Sequence, residues 1–116
     1  MPAIALLNDE KELLGFMLVA GDAAFTPDTE YDCVLTGIPK IAELLDTPLC
    51  RVIQDHKNTE FVVHVSGRPR VLTVSLLDGW SLSVSLGEEG AGSWSAEHDD
   101  GTRLTGQCIL ARKGSS

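Results

Sequence analysis

Polar and apolar residues alternate strictly in the second half of the chain. From Trp80 to Leu86 the even positions are apolar and the intervening Ser81, Ser83 and Ser85 carry hydroxyls. This period of two is typical of a β-strand that buries one face and exposes the other. The pattern therefore predicts a sheet in this half of the protein.

The same period continues on both sides of that strand. It predicts strands at 60–66, 71–77, 80–86, 93–98 and 103–111. Short turns separate them, so neighbouring strands should run antiparallel as a meander. The apolar positions expected to line the core are Phe61, Val63, Val65, Leu72, Val74, Leu76, Trp80, Leu82, Val84, Leu86, Trp94, Leu104, Cys108 and Leu110.

The first half of the chain is less regular. Residues 3–7 predict a buried strand, and Asn8 followed by acidic residues predicts a helix over residues 9–20 that ends at Gly21. The alternative is a second strand that forms a hairpin around Asn8–Lys11. The spacing of Ile4-Ala5, Asp9-Glu10, Leu14-Gly15-Phe16 and Ala20-Gly21 resembles the opening of a small stalk protein of rotary ATPases. That resemblance implies a strand followed by a helix here, but the later consecutive strands depart from that family.

Further elements complete the predicted fold. A strand is expected at 31–36, a short helix at 38–46 and a second at 48–56. We therefore expect a single α+β domain over residues 1–116. Residues 1–58 would be mixed strand and helix, and two or three short helices would cover one face of a five-stranded meander at 59–112. Residues 113–116 would form a flexible tail.

Acidic residues dominate the first half. The net charge is −8, and residues 1–60 hold eleven Asp and Glu against four Lys and Arg. Asp22, Asp28, Glu30 and Asp32 crowd one stretch, which is the candidate contact for a partner with a basic surface. Clustered Lys and Arg of the kind that bind phosphate are lacking, so non-specific binding to nucleic acid is disfavoured.

Two segments could nevertheless contact DNA. Residues 38–56 have the apolar spacing of a helix-turn-helix, and the tip of the hairpin after residue 66 is basic. The contact residues of this alternative are Arg51, Gln54, Arg68 and Arg70.

Catalytic and metal-binding patterns are weak. Cys50 lies in the first turn of a predicted helix, where backbone N–H groups lower the pKa of a thiol, and His56 and His64 are possible bases. His56, however, is six residues away across the helix, and no third residue is indicated to orient it. His98-Asp99-Asp100 reads as a hairpin tip, and no histidine pair has metal-ligand spacing. Cys33, Cys50 and Cys108 form no CxxC pair, so we expect reduced thiols, no catalytic residues, no metal and no cofactor.

These observations favour a small, acidic, non-catalytic protein that binds another macromolecule, such as an inhibitor, an immunity-type protein or an accessory subunit. A DNA-binding regulator and an enzyme with a scattered site are the alternatives. No signal peptide or membrane-spanning run is evident, so we expect a cytoplasmic protein. A charge-poor outer sheet face could also contact a partner or a second copy of the chain. Its residues are Thr73, Ser75, Ser81, Ser83, Ser85, Ser93, Ser95, Thr105 and Gln107.

Overall fold

Eight antiparallel strands, each paired with the next along the chain, form a closed barrel in the computed structural model of the protein. The structure describes residues 2–21, 25–36, 47–56, 59–66, 70–87 and 89–111. The elements are β1 (Ala3–Leu7), β2 (Leu13–Val19), β3 (Glu30–Thr36), α1 (Pro48–Asp55), β4 (Glu60–Ser66), β5 (Arg70–Ser75), β6 (Trp80–Leu86), β7 (Ala91–His98) and β8 (Arg103–Ala111).

The first and last strands close the barrel. Ala5 in β1 pairs with Phe16 in β2 on one side and with Ile109 in β8 on the other. Because the first strand pairs with the last, the described sheet has no free outermost strand, and side chains alternate between the interior and the outer surface of the barrel.

The predicted α+β fold is wrong. The sheet is a closed barrel rather than a covered five-stranded meander, and α1 is the one α-helix among the described residues. The predicted helix at 38–46 lies outside those residues, as does the predicted tail at 113–116.

The helix predicted over residues 9–20 is also wrong, and the alternative hairpin is present instead. The side-chain oxygen of Asn8 accepts hydrogen bonds from the backbone N–H groups of Glu10 and Glu12, each at 2.9 Å. Lys11 adopts a positive φ of 66°, which turns the chain back. Asn8 therefore organises a tight turn between β1 and β2 with the same side-chain acceptor that would cap a helix.

The strands predicted in the second half are present. β4, β6 and β8 have the predicted bounds, and β5 and β7 differ by one or two residues at their ends. The predicted core positions are buried, except that Trp80 and Leu104 are only partly buried against the core. Ser81, Ser83 and Ser85 lie on the outer surface, as the alternation predicts.

The helix α1 closes one end of the barrel. Leu49, Cys50, Val52 and Ile53 form its buried face. A side chain at Gly15 would collide with Ile53, because an added Cβ would lie 2.6 Å from Ile53 Cδ1. The missing side chain thus lets the helix pack directly on β2.

Candidate functional site

The acidic residues singled out from the sequence lie largely on one strand. Glu30 and Asp32 are exposed on the outer face of β3, and Asp28 is exposed in the turn before it. The backbone N–H of Asp28 donates to the Val65 carbonyl over 2.8 Å, which ties this turn to β4. Asp22 lies outside the described residues. The carboxylates of Glu30 and Asp32 are therefore held by a strand and not by a free loop.

The register between β3 and β4 adds further residues to this surface. Glu30 pairs with His64, Asp32 with Val62, and Val34 with Glu60. Val62 is 51% exposed and is one of four large apolar side chains that lie exposed in the described structure. We call the surface formed by Glu30, Asp32, Glu60, Val62 and His64 the β3–β4 face.

Glu60 and Val62 were missed by the sequence reasoning. Their even numbering places them on the outer face of β4, since Phe61 and Val63 point inward. The alternation along β4 therefore shows from the sequence that both side chains face outward. Their position beside Asp32, however, depends on a strand pairing between segments separated by an intervening helix, which alternation cannot supply.

The β3–β4 face continues into a surface rich in hydroxyl groups. One row of paired outer positions runs from His64 through Thr73, Ser83 and Ser95 to Thr105. Ser83, Ser85, Ser93, Ser95 and Thr105 also line a shallow depression of about 160 Å³, with Arg103 at its side. The predicted charge-poor surface therefore exists, and the β3–β4 face supplies its acidic border.

The candidate thiol and its candidate base are both engaged elsewhere. Cys50 is buried, and its Sγ donates to the Leu14 carbonyl over 3.4 Å. His56 is buried as well, with Nδ1 2.7 Å from the Val52 carbonyl oxygen and Nε2 3.2 Å from that of Leu77. These contacts fix the end of α1 to the turn between β5 and β6. The second candidate base, His64, is exposed on the β3–β4 face.

The candidate DNA contacts are dispersed. Arg51 and Gln54 are exposed on α1, which precedes the first residue of β4. Arg70 begins β5, beyond the far end of β4, and its Nη2 donates to the Gly87 carbonyl over 3.4 Å. Seven strand residues span about 23 Å, so α1 and Arg70 lie at opposite ends of the barrel. Arg68 lies outside the described residues.

His98 joins two turns at the end of the barrel that α1 covers. Its Nε2 lies 2.7 Å from the Asp78 carbonyl oxygen, and its Nδ1 lies 3.1 Å from Asp100 Oδ1. Partial desolvation lowers the pKa of His98, but the Asp78 carbonyl and the carboxylates of Asp100 and Asp99 outweigh it and raise the pKa above 6.5. Hydrogen bonds from Thr102, together with His98, lower the pKa of Asp100 to about 2. Through these contacts, His98 connects the turn between β5 and β6, which contains Asp78, to the turn between β7 and β8, which contains Asp100.

The three cysteines are free, as the sequence predicts, and all three are buried. Burial, with a smaller contribution from Asp32, raises the pKa of Cys33 to about 11. Burial alone raises the pKa of Cys108 to about 11. Neither thiol is therefore a nucleophile near neutral pH.

Comparison of the chain with protein-family models, with curated proteins and with solved structures gives no match. Within the described residues, no three His, Cys, Asp or Glu side chains form a group that could hold a metal ion. No helix in that part of the chain is long and apolar enough to cross a membrane. The narrower expectation of an inhibitor or immunity-type protein is withdrawn, because neither the barrel nor the comparisons point to one.

Proposed function

We propose that the protein is a binding protein whose β3–β4 face contacts a basic surface on another protein. One observation carries this proposal: the half-exposed Val62 lies directly opposite Asp32, with Glu30 and Glu60 on either side of that pair. An apolar centre with a charged border is the common arrangement of a protein–protein interface.

The chemistry of the face fits Lys and Arg side chains. Their aliphatic stems can pack on Val62 while their charged ends reach the surrounding carboxylates. Asp28 adds a fourth exposed carboxylate at the edge of the face. Since the whole chain carries a net charge of −8, its field should also steer a basic partner toward this surface.

The scaffold suits binding without large rearrangement. The residues of the face lie on two paired strands of a closed barrel, and the buried Val63 and Val65 anchor β4 from the inside. Side chains on such a framework need little ordering when a partner arrives, which lowers the entropic cost of association.

A pair of matched triple variants tests the proposal. The first changes Glu30→Gln, Asp32→Asn and Glu60→Gln, and the control changes Asp9→Asn, Glu10→Gln and Glu89→Gln, all exposed residues outside the face. Each variant shifts the net charge from −8 to −5. The partner is first isolated by affinity capture with the wild-type protein from cells that make it.

Association and dissociation rates are then measured over a series of salt concentrations. The face variant should associate at least about tenfold more slowly than wild type, and its association rate should lose most of its dependence on salt. The control variant should keep most of the wild-type association rate and most of its salt dependence. Val62→Ser should mainly speed dissociation, because it removes the apolar centre. Equal effects of the two triple variants would show that only net charge matters and would refute the proposal.

A further inference from the structure

A second candidate site lies at the end of the barrel that α1 covers, away from the β3–β4 face. A cavity of about 270 Å³ opens between the first turn of α1 and the start of β8. Its apolar lining residues are Leu14, Pro48, Leu49, Trp94 and Leu104. The mouths of β-barrels are common places for small-molecule sites, and this volume is just below the range of roughly 300–1,000 Å³ seen for drug-sized ligands.

Arg103 supplies the positive charge of this cavity, and Thr105 adds a hydroxyl beside it. The Nε of Arg103 lies 3.6 Å from Glu97 Oε1, and both side chains are more than half exposed. An ion pair this exposed contributes little energy, so a ligand can replace Glu97 as the partner of Arg103 or bind Arg103 beside it. Within the described structure the two terminal nitrogens of Arg103 make no hydrogen bond, and they match the two oxygens of a carboxylate.

We infer that this cavity binds a small carboxylate with an apolar body, such as an arylacetate, whose carboxylate meets Arg103 while its ring rests on the leucine side chains. The inference is independent of the proposed protein-binding function, because the two sites share no residue.

The indole N–H resonance of Trp94 reports on binding in the cavity. Its side chain is buried at the cavity, where its Nε1–H donates to the Leu7 carbonyl over 2.7 Å. Trp80 is the one other tryptophan in the sequence, and its ring lies beside His98, 5.0 Å between ring centroids. The two indole N–H resonances therefore distinguish binding in the cavity from general effects.

The test is an NMR titration of the labelled 116-residue chain with phenylacetate, and in parallel with phenylacetamide. Phenylacetate should shift the Trp94 indole resonance and the methyl resonances of Leu14 and Leu104, with a Kd on the order of 1 mM, while Trp80 stays unchanged. Arg103→Gln should raise the Kd of phenylacetate about tenfold and leave that of phenylacetamide unchanged. The matched control Arg70→Gln, at the opposite end of the barrel, should change neither.

Three results would overturn the inference. The first is an unshifted Trp94 resonance at about 10 mM phenylacetate, well above the expected Kd. The second is an equal loss of affinity for both probes in Arg103→Gln, which would mean that Arg103 shapes the cavity without binding the carboxylate. The third is tighter binding of phenethylamine than of phenylacetate. The dispersed spectrum of each variant shows directly whether it is folded.

Discussion

The closure of the barrel can be tested at Trp94. This side chain points inward from β7, lies against Gly106 of β8 and reaches the Leu7 carbonyl of β1, so one hydrogen bond spans three strands. The change Trp94→Phe removes the donor and part of the ring. Losing a hydrogen bond costs about 0.5–1.5 kcal/mol, and with the lost packing we expect destabilisation of about 1–3 kcal/mol.

Gly106→Ala perturbs the same contact from the other side. A Cβ at this position would overlap the Leu7 carbonyl oxygen and lie 2.5 Å from Trp94 Nε1. The backbone of β1 at Leu7 and the indole must then both shift, which strains the packing and weakens the hydrogen bond between them. Overpacking costs about 1–3 kcal/mol and the weakened bond adds to it, so we expect a loss of about 2–5 kcal/mol.

The double variant Trp94→Phe/Gly106→Ala tests whether the indole and the added Cβ compete for the same space. Phenylalanine lacks the indole atoms that an added Cβ would meet, so Gly106→Ala should cost at least about 0.5 kcal/mol less in the Trp94→Phe background. Urea denaturation followed by circular dichroism gives the four free energies of unfolding that are needed, those of the wild type, the two single variants and the double variant. If the two losses simply add, the indole does not occupy the space above Gly106, and the described closure contact is wrong.

Four further predictions concern two charged groups, the thiols and the core. Because the pKa of His98 is raised on folding, its stabilising contribution is complete below pH 6.5 and is lost as the pH rises through the higher folded value, which thermal denaturation of wild type and His98→Gln should show. The lowered pKa of Asp100 acts in the opposite range, and its contribution disappears as the pH falls from about 4 toward about 2, a loss that Asp100→Asn should not show. Cys33 and Cys108 should resist a thiol reagent at pH 8 until urea unfolds the protein, and rapid labelling in the native state would contradict their burial. Leu82→Ala should lower the free energy of unfolding by about 2–5 kcal/mol in urea denaturation, and a loss below about 1 kcal/mol would show that this side chain is not in the core.

The sequence was most informative where one face of a strand is polar. The serines of β6 alternate with buried residues, so both the strand and its orientation followed from period two. β2 has no such signal, because its outward Phe16 and Leu18 are apolar and half-buried. A run that is apolar on both faces fits a helix as well as a strand, and Asn8 stabilises a turn with the acceptor that would cap a helix.

Closure and the candidate site were harder to predict for a different reason. Both depend on pairings between distant segments: β1 with β8 across nearly the whole chain, and Asp32 with Val62 across α1. Residue types within each strand show which side chains point outward, but the register decides which of them become neighbours. Glu30 and Asp32 were therefore identifiable from the sequence, whereas the acidic surface around Val62 was not.

The most direct test of the proposed function is to observe Val62 in the complex. Val62, Leu77 and Ile109 are similarly exposed, at 51%, 55% and 49%, but only Val62 lies on the β3–β4 face. Deuterated protein with protonated valine, leucine and isoleucine methyl groups is bound to its protonated partner, and saturation is transferred from the partner. The methyl signals of Val62 should lose intensity while those of Leu77 and Ile109 keep theirs. Unchanged Val62 signals together with attenuation at Leu77 or Ile109 would place the interface elsewhere and contradict the proposal.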